Sequence, residues 1–123
     1  MNRNPVGWFE IYVQDMARAK RFYESVLQVQ LSELKMPGME MWAFPMAPDR
    51  SGIGGALVHM PGVPRSGNSV LVYFSCDDCA AEGSRVAGAG GKVEREKFAI
   101  GEYGFVVIAR DTEDNVIGLH SMG

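Results

Sequence analysis

Along residues 6–13, apolar side chains alternate with a set of aromatic and acidic side chains. This spacing of two residues is typical of a β-strand. One face is plainly apolar, and its residues are Phe9, Ile11 and Val13. The other face carries two large aromatic side chains around a carboxylate, and its residues are Trp8, Glu10 and Tyr12. A strand that faced bulk water would carry small polar residues instead. The second face therefore predicts the wall of a ligand pocket.

An amphipathic helix is predicted directly after this strand, over residues 16–27. Asp15 is a suitable N-cap, because its carboxylate can accept hydrogen bonds from free backbone N–H groups. Apolar residues recur behind it at helical spacing, and they are Met16, Ala19, Phe22, Tyr23, Val26 and Leu27. This stripe is expected to cover the apolar face of the first strand.

Alternation and turn residues such as Gly38 and Gly90 predict the remaining elements. The other strands of the first half are predicted at residues 28–35, 39–46 and 53–60. The second half repeats the order, with a strand at 69–76, a helix from Asp78 to about residue 89, and strands at 92–98, 103–110 and 116–121.

The two halves follow the same pattern. The helix caps Asp15 and Asp78 lie about 60 positions apart, and so do His59 and His120 in the closing strands. This repeat predicts an α+β fold in which a β-α-β-β-β module occurs twice. The two modules are expected to form curved mixed sheets around a cavity, which their faces away from the helices would enclose.

Modules of this size are too small to be independent domains. We therefore expect a single domain over residues 1–123. Module one is predicted at about 5–60 and module two at about 69–123, with a linker rich in proline, glycine and serine at 61–68.

Composition narrows the functional classes. The chain has 123 residues, 46% hydrophobic and 22% charged, as is ordinary for a globular protein. Its net charge of −3 offers no basic stripe for phosphates, so nucleic acid is not an expected partner. No apolar run approaches the roughly 20 residues of a membrane span, and the N-terminus does not resemble a signal peptide. A cytoplasmic location without membrane partners is expected.

Cys76 and Cys79 form the C-x-x-C pair of this chain. The spacing is compatible with a redox pair or with half of a zinc site, for which His59 and His120 are the available histidines. The structural interpretation is that Cys76 ends a buried strand and Cys79 begins the next helix. We favour this structural interpretation.

The helix pattern D-x-x-x-A-x-x-F-Y-x-x-V-L beginning at Asp15 resembles the vicinal oxygen chelate superfamily, and so does the turn from Asp111 through Asn115 to Ile117. That superfamily includes glyoxalase I, extradiol dioxygenases and bleomycin-resistance proteins. The pairing of residues 8–11 with residues 117–121 further resembles a glyoxalase-like subgroup of mostly unknown function. The resemblance implies a glyoxalase-like fold and a homodimer.

Enzymes of this superfamily hold a divalent metal with four ligands, one from each strand that opens or closes a module. Counting along the strands, the resemblance places these positions at Trp8, Leu57, Leu71 and Gly118. None of them offers the imidazole, carboxylate or thiolate that a divalent metal needs. We therefore expect neither the usual metal centre nor a cofactor, which argues against an ordinary metal-dependent glyoxalase I or dioxygenase.

Glu10 and His120 are the predicted catalytic residues, because each lies two positions from one of these vacant ligand positions and on the same strand face. Gly118 would leave space above the sheet, which Trp8 is expected to fill in part. A carboxylate beside an imidazole can act as a general base and acid. The alternative is that the two form a satisfied structural pair or line an inert pocket.

Five aromatic residues are predicted to contact a substrate, and they are Trp8, Tyr12, Trp42, Tyr73 and Tyr103. Tyrosine and tryptophan suit this role because their O–H and N–H groups need partners when buried. Ordinary core packing is the alternative for such residues.

Three functions are compatible with these observations. The chain can bind a small organic molecule without a metal, as the resistance and sequestration proteins of the superfamily do. It can instead be a lyase or isomerase that uses Glu10 and His120 as acid–base groups or as non-standard metal ligands. It can also be an interaction module whose cavity holds no ligand.

Overall fold

The computed structural model describes residues 3–47, 53–61, 69–113 and 115–123. These residues form eight β-strands and two α-helices in the α+β arrangement expected from the sequence. The first five elements are β1 (Val6–Tyr12), α1 (Met16–Leu27), β2 (Ser32–Met36), β3 (Met39–Ala43) and β4 (Gly54–His59). The next five are β5 (Val70–Ser75), α2 (Cys79–Val86), β6 (Lys92–Ala99), β7 (Phe105–Arg110) and β8 (Val116–Ser121).

The order confirms the predicted repeat of a β-α-β-β-β module. The predicted bounds of α1 and β8 are also correct. The start of the second strand was predicted four residues early, because Gln28 takes a left-handed conformation at the end of α1, with a φ of 54°. Tyr103 was predicted in a strand but lies in a 3₁₀ turn, Gly101–Tyr103, before β7. Except for Pro61, the predicted linker at 61–68 lies outside the described residues.

The chain divides into two compact units, residues 9–70 and residues 1–8 with 71–123. In the unit of residues 9–70, the strand order is β2-β3-β4-β1. Strand β3 pairs antiparallel with β2 and with β4. Helix α1 starts at the predicted cap, where the Arg18 N–H donates to Oδ1 of Asp15 over 3.0 Å.

One face of this sheet packs against α1. The buried centre consists of Met16, Leu31 and Leu57. The half-buried residues around it are Ile11, Val13, Ala19, Tyr23, Trp42 and Phe44. The apolar face of the first strand is therefore covered by the helix, as its alternation predicts.

The second unit takes the first residues of β1 and has the strand order β1-β5-β8-β7-β6. Strands β5 and β8 pair in parallel, whereas β7 pairs antiparallel with both β8 and β6. Asp78 caps α2, since its Oδ1 accepts the Ala80 N–H over 3.0 Å. The core beside this helix is centred on Cys79, Val107 and Leu119.

Strand β6 ends the strand order of this unit and pairs irregularly with β7. Val93 pairs with Ala109 and Arg95 with Ile108, so β6 advances two residues while β7 advances one. A second register shift lies between Arg95 and Phe98. Such shifts are β-bulges, which redirect the side chains that follow them.

Cys79 has the structural setting that we favoured, whereas Cys76 lies directly after the last residue of β5 rather than in the strand. Cys79 is the first residue of α2, and its side chain is fully buried. Its N–H donates to the Ser121 hydroxyl over 2.9 Å. Burial, with a contribution from the nearby Glu82 carboxylate, raises the pKa of the Cys76 thiol to about 11. A raised pKa disfavours the thiolate that redox chemistry and zinc binding both require.

No helix within the described ranges combines the length and the apolar character that crossing a membrane would require.

The core beside α1 predicts a large loss of stability on truncation of Leu57. Leu57→Ala should lower the free energy of unfolding by about 2–5 kcal/mol, because a buried cavity adds to the lost transfer energy. Leu27→Ala is the matched control, since Leu27 is 53% exposed, and it should change stability by roughly 0.5 kcal/mol or less. Denaturant unfolding followed by circular dichroism measures both. Equal losses would contradict the described core.

The pKa of Cys76 predicts slow alkylation. Near pH 8 the thiolate fraction should be on the order of 100-fold lower in the native chain than in the unfolded chain, whose cysteines titrate normally. Iodoacetamide labelling followed by peptide mass spectrometry measures each cysteine separately. The chain unfolded in guanidinium is the control. Rapid labelling of native Cys76 would instead favour a reactive redox or metal-binding pair.

Candidate functional site

The most chemically distinctive group in residues 9–70 is the Glu10 carboxylate. Glu10 is 7% exposed, and Oε1 accepts a hydrogen bond from the Tyr12 hydroxyl over 2.7 Å. The two residues are two positions apart in β1, so they project from the same face of the strand. Ile11 between them packs on the other face against the core beside α1.

This arrangement holds a carboxylate in a fixed position. Burial of a carboxylate is costly unless hydrogen bonds compensate for lost hydration, and Tyr12 supplies one such bond. A positioned carboxylate can accept a proton or bind a donor group of a ligand. The predicted neighbours Glu10 and Tyr12 are therefore together, whereas their predicted roles stay predictions.

Trp42 lies on the side of the sheet that packs against α1. Its ring contacts the core around Leu57, and its Nε1–H donates to Oε2 of Glu40 over 3.0 Å. The Lys20 ammonium of α1 lies 3.4 Å from the ring centroid, in a cation–π contact. This is the face opposite to Glu10, so the geometry favours the packing interpretation of Trp42. Its substrate-binding role stays a prediction.

His120 in β8 belongs to the second unit. Its Nε2 faces the backbone carbonyl oxygen of Tyr103 at 2.5 Å. A carbonyl oxygen only accepts hydrogen bonds, so this contact assigns the proton of the neutral ring to Nε2 and its lone pair to Nδ1. His120 thus holds the turn before β7 and presents Nδ1 as its basic atom.

Tyr73 fills the space that Gly118 leaves. The two residues are paired across the parallel strands β5 and β8. A Cβ atom built on Gly118 would lie only 2.2 Å from the Tyr73 ring, so the ring rests directly on the glycine backbone. The sequence assigned part of this space to Trp8, which is half-buried in β1. In this unit the occupant is Tyr73.

Tyr103 contributes its backbone rather than its ring to these contacts. Its side chain is 41% exposed, in a turn where Gly101 and Gly104 have φ values of 71° and 101°. The turn closes with the Ile100 N–H donating to the Gly104 carbonyl over 2.8 Å. The rim position expected for Tyr103 agrees with this placement, and contact with a ligand stays a prediction.

Two of these partners were missed from the sequence. Lys20 and Trp42 meet only through helix–sheet packing, and a backbone carbonyl such as that of Tyr103 leaves no mark on the sequence. Among the residues that the structure describes, no three His, Cys, Asp or Glu side chains cluster as a metal-binding group.

Comparison with solved structures shows the fold. Methylmalonyl-CoA epimerase from Mycobacterium tuberculosis is 16% identical, with a TM-score of 0.71 over 97% of this chain and 88% of its own. A hypothetical protein from Bacillus halodurans is 11% identical, with a TM-score of 0.76 over 96% and 94%. A Streptomyces coelicolor methylmalonyl-CoA epimerase variant in complex with 2-nitronate-propionyl-CoA is 12% identical, with a TM-score of 0.71 over 98% of both chains.

No curated protein matches this chain in a sequence search. A family model does match, and it covers residues 6–119. The chain therefore belongs to the Glyoxalase/Bleomycin resistance protein/Dioxygenase superfamily.

Proposed function

We propose that this chain binds a small organic molecule, with the Glu10 carboxylate as a central polar contact and without the usual metal centre of its superfamily. The observation that carries the proposal is the buried Glu10–Tyr12 pair on the face of β1 turned away from the helix core. His120 and the predicted aromatic residues are proposed as further ligand contacts. A homodimer in the cytoplasm, built from single-domain chains, belongs to the same proposal.

The energetics of Glu10 support a ligand role. Its position on β1 is not needed to fill the core, because Ile11 and Val13 do that. An apolar residue there would avoid the desolvation cost of a carboxylate. Tyr12 holds the carboxylate in position through Oε1, and a ligand N–H or O–H group is proposed to bind this positioned carboxylate.

The aromatic residues support the proposal to different degrees. The Tyr12 hydroxyl is bonded to Glu10, and the Tyr73 ring packs closely on the Gly118 backbone. Both rings are therefore fixed before any ligand arrives, which lowers the entropic cost of binding. Tyr103 lies on an exposed turn, and Trp42 is engaged with Lys20 and the helix side of the sheet.

The inherited ligand positions are the four at which the resemblance places the metal ligands. Their residues do not fit a divalent ion. The position counted at Leu57 is wrong, because the Leu57 side chain is fully buried among apolar residues beside α1, on the face opposite to Glu10. Leu71 is 8% exposed and apolar, and the Tyr73 ring occupies the space above Gly118. Trp8 offers only an indole N–H, which donates and cannot ligate a cation. This donor set supports the metal-free form of the proposal.

A second candidate function is proton transfer by an isomerase or lyase. The Tyr12 hydroxyl holds the Glu10 carboxylate in place, and this carboxylate is proposed as the base that would remove a proton from a substrate carbon. His120 is proposed as the second acid–base group, acting at Nδ1 because Nε2 bonds to the Tyr103 carbonyl. The epimerases among the structural neighbours are isomerases by name, which favours this class over others.

Ligand-induced stabilisation tests the role of Glu10. A library of small carbonyl and hydroxyl compounds should contain one that raises the melting temperature, and a ligand at 100 times its Kd stabilises by about 2.7 kcal/mol. Glu10→Gln and Tyr12→Phe should both lose most of this shift, because the positioned carboxylate is removed or released.

The matched control is Glu33→Gln, since Glu33 is an exposed carboxylate paired with Lys35. It should keep the full shift. Full stabilisation of Glu10→Gln would mean that Glu10 is a structural residue. A catalytic role is separated from simple binding by turnover of the same compound, which Glu10→Gln and His120→Ala should abolish.

Elemental analysis tests the metal-free proposal. Protein purified without chelator should contain far less than one equivalent of zinc, nickel, manganese or iron per chain, because the inherited positions lack ligands. Addition of each metal should leave the melting temperature unchanged, since ions that bind the native state stabilise it. Near-stoichiometric metal that is lost in Glu10→Gln or His120→Ala would instead establish a non-standard metal site.

A further inference from the structure

The two bulges of β6 bring Arg95 and Phe98 onto one face of the strand. In a regular strand, residues three positions apart point to opposite faces. Here Arg95 pairs with Ile108 and Phe98 with Val106, two residues of β7 that share a face. Without the first bulge, Arg95 would lie on the face of Val93, which packs towards the core beside α2. The bulges therefore turn a cation away from the core and place it beside an aromatic ring.

We propose that Arg95, stacked on Phe98, forms a binding site for the oxyanion group of a small organic anion. The guanidinium carbon lies 3.6 Å from the ring centroid of Phe98. Stacking uses the flat face of the guanidinium and leaves its N–H edges directed away from the ring. Those edges match the two oxygens of a carboxylate or a phosphate in a bidentate contact.

The charge of Arg95 is not neutralised by any other residue that the structure describes. Within the described ranges, no carboxylate forms an ion pair or a hydrogen bond with its guanidinium. Glu94 and Glu96 flank Arg95 in the sequence. Oε2 of Glu94 accepts from Nε of Arg110 over 2.9 Å and lies 3.9 Å from Nζ of Lys92. Glu94 is thus engaged by two other cations, and within the described ranges neither flanking carboxylate is paired with Arg95.

The surface beside Arg95 explains why the ligand would be organic. Across the sheet, Arg95 is followed in register by Ile108, Gly118 and Tyr73. Neighbouring strands lie about 4.8 Å apart, so the half-buried Ile108 side chain forms an apolar floor next to the cation. The Tyr73 ring, resting on Gly118, borders the far side of this floor. A ligand with an oxyanion at one end and an apolar body would place the oxyanion at Arg95 and its body on Ile108 and the Tyr73 ring.

Protection of a sheet edge does not account for the bulges. Bulges and charged residues both discourage edge strands from pairing with other chains. Strand β6 already carries five charged side chains, Lys92, Glu94, Arg95, Glu96 and Lys97, so its edge is protected by charge alone. The additional effect of the bulges is to place Arg95 and Phe98 side by side on one face of the strand.

Titration with simple probes tests the site. Benzoate and phenyl phosphate carry the two candidate oxyanions on the same apolar ring, and benzamide is the neutral match of benzoate. With ¹⁵N-labelled protein, benzoate or phenyl phosphate should cause saturable shifts of the β6 amides, with a Kd on the order of 1 mM for fragments of this size. Benzamide should cause none. The tighter of the two anions identifies the natural ligand as a carboxylate or as a phosphate ester.

Variants assign the binding to Arg95. Arg95→Gln should weaken it about tenfold or more, because a charge-assisted hydrogen bond is lost. Arg95→Lys should retain part of the affinity, and Phe98→Leu should weaken it severalfold by releasing the guanidinium. Arg85→Gln is the matched control for net charge, since Arg85 pairs with Glu82 on α2, and it should bind as the parent does.

Two results would overturn the proposal. One is unchanged affinity in Arg95→Gln, and the other is the lack of saturable shifts with both anions. The site does not depend on the proposed role of Glu10, because its residues lie on strands β5 to β8 and its readout is on β6. Failure of one proposal therefore leaves the other intact.

Discussion

Burial of one apolar sheet face beneath a helix is the constraint on which both units depend. In residues 9–70 this contact is centred on Leu57 and Met16, and in the second unit on Leu119 and Cys79. Because strand side chains alternate, covering one face directs every second residue to the helix and the others to the opposite face. The opposite face combines buried apolar residues such as Val58 and Val106 with polar groups such as Glu10, so chemistry can develop there.

Glu10 shows how a polar group can be positioned on the sheet face turned away from the helix. Its neighbour Ile11 contributes to the core, while the carboxylate points the other way and is held by Tyr12. The same logic applies to His120, whose neighbour Leu119 is buried beside α2. In both strands a core residue holds the backbone in place. The adjacent polar side chain is therefore held in a defined position as well. Such support is what a binding or acid–base group needs.

Irregular backbone adds positions that alternation alone cannot supply. The bulges of β6 carry Arg95 and Phe98 to one face, although their spacing in the sequence separates them. The turn that ends at Gly104 aims the Tyr103 carbonyl at His120. The bulges and the turn both interrupt the regular alternation of the strands. Each places a polar group at a position that alternation would not give. They are thus where members of a common fold can diverge in ligand chemistry.

The sequence by itself determined the elements, the repeated module and the capped helix α1, because these follow from local periodicity and from the side chain of Asp15. It also brought Glu10 and Tyr12 together, since two positions along one strand share a face. Only the tertiary structure decided that Trp42 lies towards α1 and that Arg95 stacks on Phe98. The physical reason is that the sheet face covered by a helix, and the register of one strand against its neighbour, depend on contacts between residues far apart in the chain.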